Sequence, residues 1–200
     1  ENVEIAVLRR QASNEVTNDL IDYFFYDLED AINWHPNGAL ICSPASLHID
    51  LAQKLAEAGI HLFIEKPISH NMKGVLELQE YCLENDIAAM TAYQFRFYKP
   101  LKDFKSRLSS GEIGTVLSAQ IEVGQYLPDW RPDKNSRDTA SASSELGGGA
   151  TLELSHELDN LNCLFGLPSE VFSVSHQQSE NVIDVEDITQ ALAIYPQKTI

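Results

Sequence analysis

Apolar residues in this chain come first in short unbroken runs and later in alternation. Residues 3–8 (VEIAVL) are β-rich and end at Arg9-Arg10. Residues 14–23 have the spacing of a short helix, 23–26 are aromatic and strand-like, and 28–33 read as a helical turn. The apolar run 39–42 (ALIC), ended by Ser43-Pro44, suits a strand buried on both faces. A helix follows, with Ser46 as N-cap, Leu47, Leu51, Leu55 and Ala58 along one face, and Gly59 as its terminator. Residues 60–64 (IHLFI) form another buried strand, halted by Glu65-Lys66-Pro67. A second helix is predicted over 71–84, with Val75, Leu78 and Cys82 inward, and a further strand over 87–93. Strands alternating with helices predict a parallel sheet covered by helices.

Beyond about residue 95 the pattern changes. Residues 99–108 form an amphipathic helix through Leu101, Phe104 and Leu108. Residues 115–126 alternate apolar and polar, which predicts a strand with one open face. Residues 128–146 have no period and read as a long loop, of the kind that often carries function. Gly147-Gly148-Gly149 opens a helical stretch to Phe165, and 171–177 and 188–195 alternate again as strands. This half predicts an α+β unit with an open, mixed or antiparallel sheet.

Charge narrows the partners. With 30 acidic against 14 basic residues the formal net charge is −16, and Lys and Arg form no cluster. A phosphate backbone or an anionic membrane surface would be repelled, so neither nucleic acid nor membrane is expected as a partner. No apolar run approaches the ~20 residues of a membrane-spanning helix, and the acidic stretch 1–4, which forms no apolar segment, gives no expectation of a secretory signal. Cys42, Cys82 and Cys163 are odd in number and widely spaced, which reads as reduced thiols and a cytoplasmic setting.

Two groups of residues carry candidate chemistry. One lies at two predicted strand ends: Cys42, Ser43, Pro44 and His48 after the first buried strand, Glu65 and Lys66 after the next. Open parallel sheets bind ligands just beyond the C-terminal ends of their strands. The Lys66 ammonium would enter a partly desolvated cleft there, or Glu65 and Lys66 are a solvated turn. His48 is open to ligand contact or to a capping role, and His61 reads as structural. The second group is Glu153, His156, Glu157 and Asp159. Glu153 and His156, and His156 and Asp159, are three residues apart and share a helix face. A carboxylate beside a histidine fixes its tautomer and suits a general base near neutral pH. The other reading is a helix with acids in water and a histidine in the core. His-x-x-Asp alone does not make a metal site, and no metal is expected.

Taken together, these segments resemble the Gfo/Idh/MocA family of NAD(P)-dependent oxidoreductases. ALICSPASLHIDLAQKLAEAGIHLFIEKPIS is similar to the second half of its nucleotide-binding domain, with the family's Glu-Lys-Pro at Glu65, Lys66 and Pro67. AYQFRFYKPL resembles the crossing into the C-terminal domain, GEIG precedes a long strand, and GGGATLELSHELDNLNCLFG resembles the glycine-led catalytic helix. The resemblance implies a partial Rossmann domain over 1–95, lacking its first strand and helix, and a partial α+β substrate domain over 96–200 with an open, mainly antiparallel sheet. It implies hydride transfer between a nicotinamide and a sugar-like alcohol or ketone, with Lys66 orienting the reacting oxygen and His156 accepting its proton. Glu153 and Asp159 support them. Arg9, Arg10, Cys42, Ser43, Pro44, His48, Glu65, Lys66 and Gln94 would face the cofactor. A homo-oligomer through the second-domain sheet is also implied.

The chain departs from the family pattern in two places. Leu152 stands where many members place an acid four residues before the histidine, and Glu153 is the nearest acid. That arrangement, with LPDWRP, resembles the subgroup linked to surface-polysaccharide and sialic-acid-like sugars, and makes Tyr126, Trp130, Arg131 and Arg137 candidate substrate contacts. An arginine would give a carboxylated sugar a bidentate partner. The Gly-x-Gly-x-x-Gly fingerprint is absent, so the chain is expected to be part of something longer, incomplete at both ends. Either NAD or NADP fits. Arg9-Arg10, where an acid would bind the NAD ribose, favours the 2′-phosphate of NADP. The rivals are a non-catalytic family member that binds a sugar or a partner protein, and a metal-dependent hydrolase built on His156 and Asp159.

Overall fold

The computed structural model describes residues 3–9, 19–180 and 183–195; Arg10 and the first half of the helix expected over 14–23 lie outside these, and residues 19–22 form a turn and an irregular lead into a strand rather than helix. Strand β1 (Ala6–Leu8) pairs in parallel with β2 (Tyr23–Phe25), Val7 opposite Phe24. Helix α1 (Leu28–Asn33) starts where the Asp27 carboxylate accepts the Glu29 N–H at 2.8 Å. Trp34, just past its end, packs its ring on Tyr23 and Phe25, which ties α1 to the β1–β2 pair.

Strands β3 (Gly38–Ile41), β4 (His61–Ile64) and β5 (Ala89–Thr91) form a second parallel sheet in that order. Among the described residues no ladder joins β1–β2 to β3–β4–β5. Helices α2 (His48–Glu57) and α3 (Val75–Glu84) are the two crossovers, and they pack together on one face of this sheet, as successive crossovers of one hand require. Ile41, Ala52, Leu55, Ala56, Ile60, Leu62, Ile64, Leu78 and Cys82 form the core between them. Burying each large aliphatic side chain stabilises the fold by roughly 1.5–3 kcal/mol.

The expected strands buried on both faces are therefore buried on one. Leu62 and Ile64 point inward, whereas Leu40, Phe63 and Met90 on the opposite face are exposed, because no described helix covers that side. Two helix details also correct the sequence reading. Ser46 does not cap α2: the chain first makes a tight turn over Ala45–Leu47, and the helix begins at His48 with no side-chain cap. That start turns His48, Ala52, Leu55 and Ala56 inward and leaves Leu47 and Ala58 exposed. A polar residue at the first inward position shifted the apparent stripe. Helix α3 begins at Val75 rather than 71, because Gly74 takes φ 76°, a left-handed conformation that interrupts the helix. The other end of α2 matches expectation. Gly59, at φ 78°, donates its N–H to Ala56, and Ile60 donates to Leu55, which closes the helix and delivers Ile60 to the core.

Past β5, a short turn over Gln94–Phe97 leads to α4 (Lys99–Ser109). Residues 115–126 form no strand. Their alternation is present, but among the described residues no strand pairs with them, and Leu117 is 93% exposed; an isolated strand has no partner for its backbone groups. The loop over 128–146 is built from three tight turns, Leu127–Trp130, Ser136–Asp138 and Ala140–Ala142, the last anchored by buried Ser141 and Ala142. The expected helix from the triple glycine is broken into α5 (Ala150–Glu153) and α6 (Ser155–Phe165). Strands β6 (Glu170–His176) and β7 (Ile188–Ile194) pair antiparallel, Phe172 opposite Leu192.

Candidate active site

The site gathers where the three parallel strands β3, β4 and β5 end. Ser43 and Pro44 follow β3, Glu65 and Lys66 follow β4, and Tyr93 and Gln94 follow β5, while Arg9 follows β1 of the other pair. Against the ends of β4 and β5 lies the α5–α6 break. Leu154, at φ −100° and ψ 27°, leaves helical geometry there, and the Glu157 N–H bonds Leu154 instead of Glu153. The freed Glu153 carbonyl accepts the Lys66 ammonium at 2.7 Å, and the Glu153 carboxylate stands 3.6 Å from the same nitrogen. Lys66 is 19% exposed, so this is a sheltered ammonium and not a solvated turn residue. The Glu65 carboxylate accepts the Lys66 backbone N–H at 2.9 Å, and the Lys66–Pro67 peptide is cis.

His156, in the first turn of α6, is walled by rings: Phe95 at 4.7 Å and Tyr93 edge-on at 5.7 Å. Burial lowers its pKa below the ordinary histidine value, and the nearby Lys66 charge pushes the same way, against weaker pulls from Glu157, Asp159 and Glu65. Its Nδ1 is buried without a hydrogen-bond partner. The expected carboxylate beside it is not Asp159, which is bonded by the guanidinium of Arg96. The helix period places Asp159 on that face, but the turn after β5 brings a stronger partner. Arg96 is the residue that sequence reasoning missed; only its place one residue after Phe95, in the AYQFRFYKPL segment, hinted at it.

The triple glycine follows from close approach on three sides. A Cβ at Gly147 would meet Ala45 and His70, one at Gly148 the Ala140 and Ser141 carbonyls, and one at Gly149 the Glu186 carboxylate. That carboxylate accepts the Thr151 N–H at 3.0 Å, so the segment before β7 caps α5.

The remaining candidates divide. His48 is 1% exposed and both ring nitrogens face carbonyls, Nδ1 that of Pro67 at 3.0 Å and Nε2 that of Ser43 at 2.7 Å. It braces the two strand ends from below and has no free nitrogen for a ligand, which corrects its reading as a cofactor contact. His61 accepts the Ala88 N–H at 3.1 Å, a structural bond between β4 and the approach to β5. Ser43 keeps a buried hydroxyl without a partner. Cys42 is exposed, Cys82 is in the core and Cys163 is half-buried, all free thiols. Burial, then Glu65, raises the Cys42 thiol pKa. Arg9 stacks on Phe24 at 4.6 Å, with Nε buried and unpartnered. Tyr126, Arg131 and Arg137 are exposed and, among the described residues, no hydrogen bond or ion pair joins them to Lys66 or His156. Trp130 has its indole N–H buried without an acceptor. Among the described residues no helix is long and apolar enough to cross a membrane, and no three His, Cys, Asp or Glu side chains group as metal ligands.

Comparison with known proteins agrees in outline with this architecture. A family model described as oxidoreductase family, NAD-binding Rossmann fold, matches residues 3–93, and one described as the GFO/IDH/MocA C-terminal domain matches 101–200. Levoglucosan dehydrogenase of Pseudarthrobacter phenanthrenivorans is 31% identical over 140 residues, 67% of this chain and 34% of that protein. The 2,7-anhydro-N-acetylneuraminate hydratase of Mediterraneibacter gnavus is 28% identical over 148 residues, 69% of this chain and 37% of that protein. The WlbA dehydrogenase from Bordetella pertussis, solved with NADH and UDP-GlcNAcA, shares the fold at a TM-score of 0.73 and 21% identity, over 87% of this chain and 50% of its own. The chain thus spans half or less of the length of these relatives.

Proposed function

Since the chain belongs to the Gfo/Idh/MocA oxidoreductase family, we propose that its parent protein transfers a hydride between a nicotinamide and a sugar-like alcohol or ketone. The observation that carries this reading is the meeting of Lys66 and the His156 helix at the ends of β4 and β5. A bound nicotinamide supplies the hydride acceptor. This chain's residues supply the rest. Lys66, sheltered and already holding an acceptor oxygen, orients the substrate hydroxyl in place of the Glu153 carbonyl. His156, kept neutral by burial and by Lys66, takes the hydroxyl proton as general base. The aromatic wall of Tyr93 and Phe95 keeps water off the imidazole.

The cofactor residues fit the crevice expected beyond parallel strand ends. Ser43, with its orphaned buried hydroxyl, and Pro44, Glu65, Lys66 and Gln94 hold the nicotinamide half, with exposed Cys42 at the rim. Arg9, with an unpartnered Nε, holds the adenosine ribose and favours the 2′-phosphate of NADP; Arg10 adjoins it in sequence. The substrate is a sugar or sugar derivative that meets Tyr126, Trp130, Arg131 and Arg137 of the long loop. The M. gnavus relative is named for a sugar that bears a carboxylate, and an arginine is the side chain that pairs such a group bidentately. The exposed sheet face around Phe172 and Leu192 supports a homo-oligomer.

Steady-state hydride transfer, assayed on the full natural chain that carries this sequence, tests the reading. Lys66→Ala and His156→Ala should each lower kcat by roughly a hundredfold or more, with cofactor affinity largely kept in His156→Ala. Unchanged turnover in His156→Ala refutes it. NADPH should bind more tightly than NADH, and a clear NADH preference removes the role given to Arg9.

A further inference from the structure

The turn after β5 does two things at once. Tyr93 and Phe95 wall the His156 ring, and Arg96, next in sequence, reaches past it to Asp159. Arg96 Nε donates to the two Asp159 oxygens at 3.0 and 2.8 Å, and Nη2 donates to Oδ1 at 2.6 Å. Asp159 is 7% exposed, so its carboxylate is withdrawn from water, while Arg96 at 51% keeps one edge in solvent. A planar guanidinium that takes both oxygens holds the carboxylate in one orientation. His156, one turn earlier on α6, is left with Nδ1 buried and unpartnered.

We propose that Arg96 is a positioning residue for His156: by engaging both oxygens of Asp159 it fixes α6 against the turn after β5 and holds that carboxylate away from the imidazole. The proposal rests on the reading of His156 as proton acceptor. The charged and titratable groups around the ring come from every neighbouring segment. Glu65 and Lys66 follow β4, with Glu153 behind Lys66. Tyr93 and, through Asp159, Arg96 follow β5, and α6 itself carries Glu157 and Asp159. Removing the Arg96 charge takes away a cation and releases an anion, and both changes favour the imidazolium. Removing the Asp159 charge does the reverse, and removing both nearly cancels.

The test is the titration of His156 followed by NMR of the imidazole Cε1–H in the folded chain, assigned by its loss in His156→Ala. Arg96→Gln should raise the midpoint by about half a pH unit or more, Asp159→Asn should lower it, and the double variant should return near the starting value. Arg96→Lys keeps the charge but not the fork, and should fall between the parent and Arg96→Gln. A midpoint unmoved in Arg96→Gln, with an amide spectrum that shows the native fold, overturns the proposal. If Arg96→Gln fails to fold, an unmoved midpoint in Arg96→Lys overturns it. No turnover enters this measurement, so its failure leaves the hydride-transfer reading intact. Full activity in His156→Ala refutes that reading without touching the titration result.

Discussion

His156 illustrates how far a single side chain is legible. Its type and its place in a glycine-led helix make it a candidate base, but its ionisation is set by what folds around it. Burial and Lys66 both disfavour the imidazolium, so His156 stays neutral down to a pH below the free value of about 6.5. The acid limb of the rate–pH profile should therefore fall below that value; a limb at or above it would show that His156 is not the base. The same sign holds for stability: below about 6.5 the unfolded chain takes up a proton at this position that the native site resists. Gly148 is as exacting. A methyl group there presses into two backbone carbonyls that cannot move independently, so Gly148→Ala should cost about 2 kcal/mol or more in a chemical denaturation series. Glycine at this position was visible in the sequence, whereas the neighbours that require it come from the loop before it and were not.

At the scale of elements, the βαβ units were readable because their period and their stop signals agree. The α2 stripe was misread by one position because its first inward residue is His48. The strand expected over 115–126 was misread because alternation describes a side-chain pattern and not a partner. The β6–β7 hairpin is held by carboxylates whose role no periodicity shows. Asp184 accepts the Ser144 N–H and hydroxyl, and these bonds hold its pKa below the usual carboxylate range. Partial burial works the other way on Asp187, but its bonds to Ser179 and Gln178 prevail and lower its pKa too. A depressed folded pKa contributes stability above the unfolded value of about 3.9, and that contribution is lost as pH falls through the folded value. Urea midpoints taken from pH 6 down to about 2.5 should fall more for the native chain than for Asp187→Asn. Parallel curves would mean that the clasp contributes nothing.

At the scale of the molecule, two apolar faces are left open among the described residues: Leu40, Phe63 and Met90 on the parallel sheet, and Phe172, Val174 and Leu192 on the antiparallel pair. Patches of this kind mark surfaces that something covers. For the second face the homo-oligomer proposed above would supply the cover. Sedimentation of the 22.3 kDa chain should give a multiple of that mass, and Phe172→Glu with Leu192→Glu should return it to the monomer. A native chain that sediments as a monomer at high concentration removes the oligomer from the reading.

The sequence by itself determined what local rules govern. These include the alternation of strand and helix from residue 23 to 95, the strand ends that carry Ser43 and Lys66, the Gly59 stop and the two chemical groups around Lys66 and His156. Each of these depends on residues a few positions apart, within reach of period, capping and turn chemistry. Tertiary structure decided the partnerships: the Glu153 carbonyl for Lys66, Arg96 for Asp159, Glu186 for the start of α5, and two carbonyls for His48. Those pairs lie 87, 63, 35, 19 and 5 residues apart. Four of the five are long-range meetings, created by the way the strand ends and the glycine-led helix are brought together.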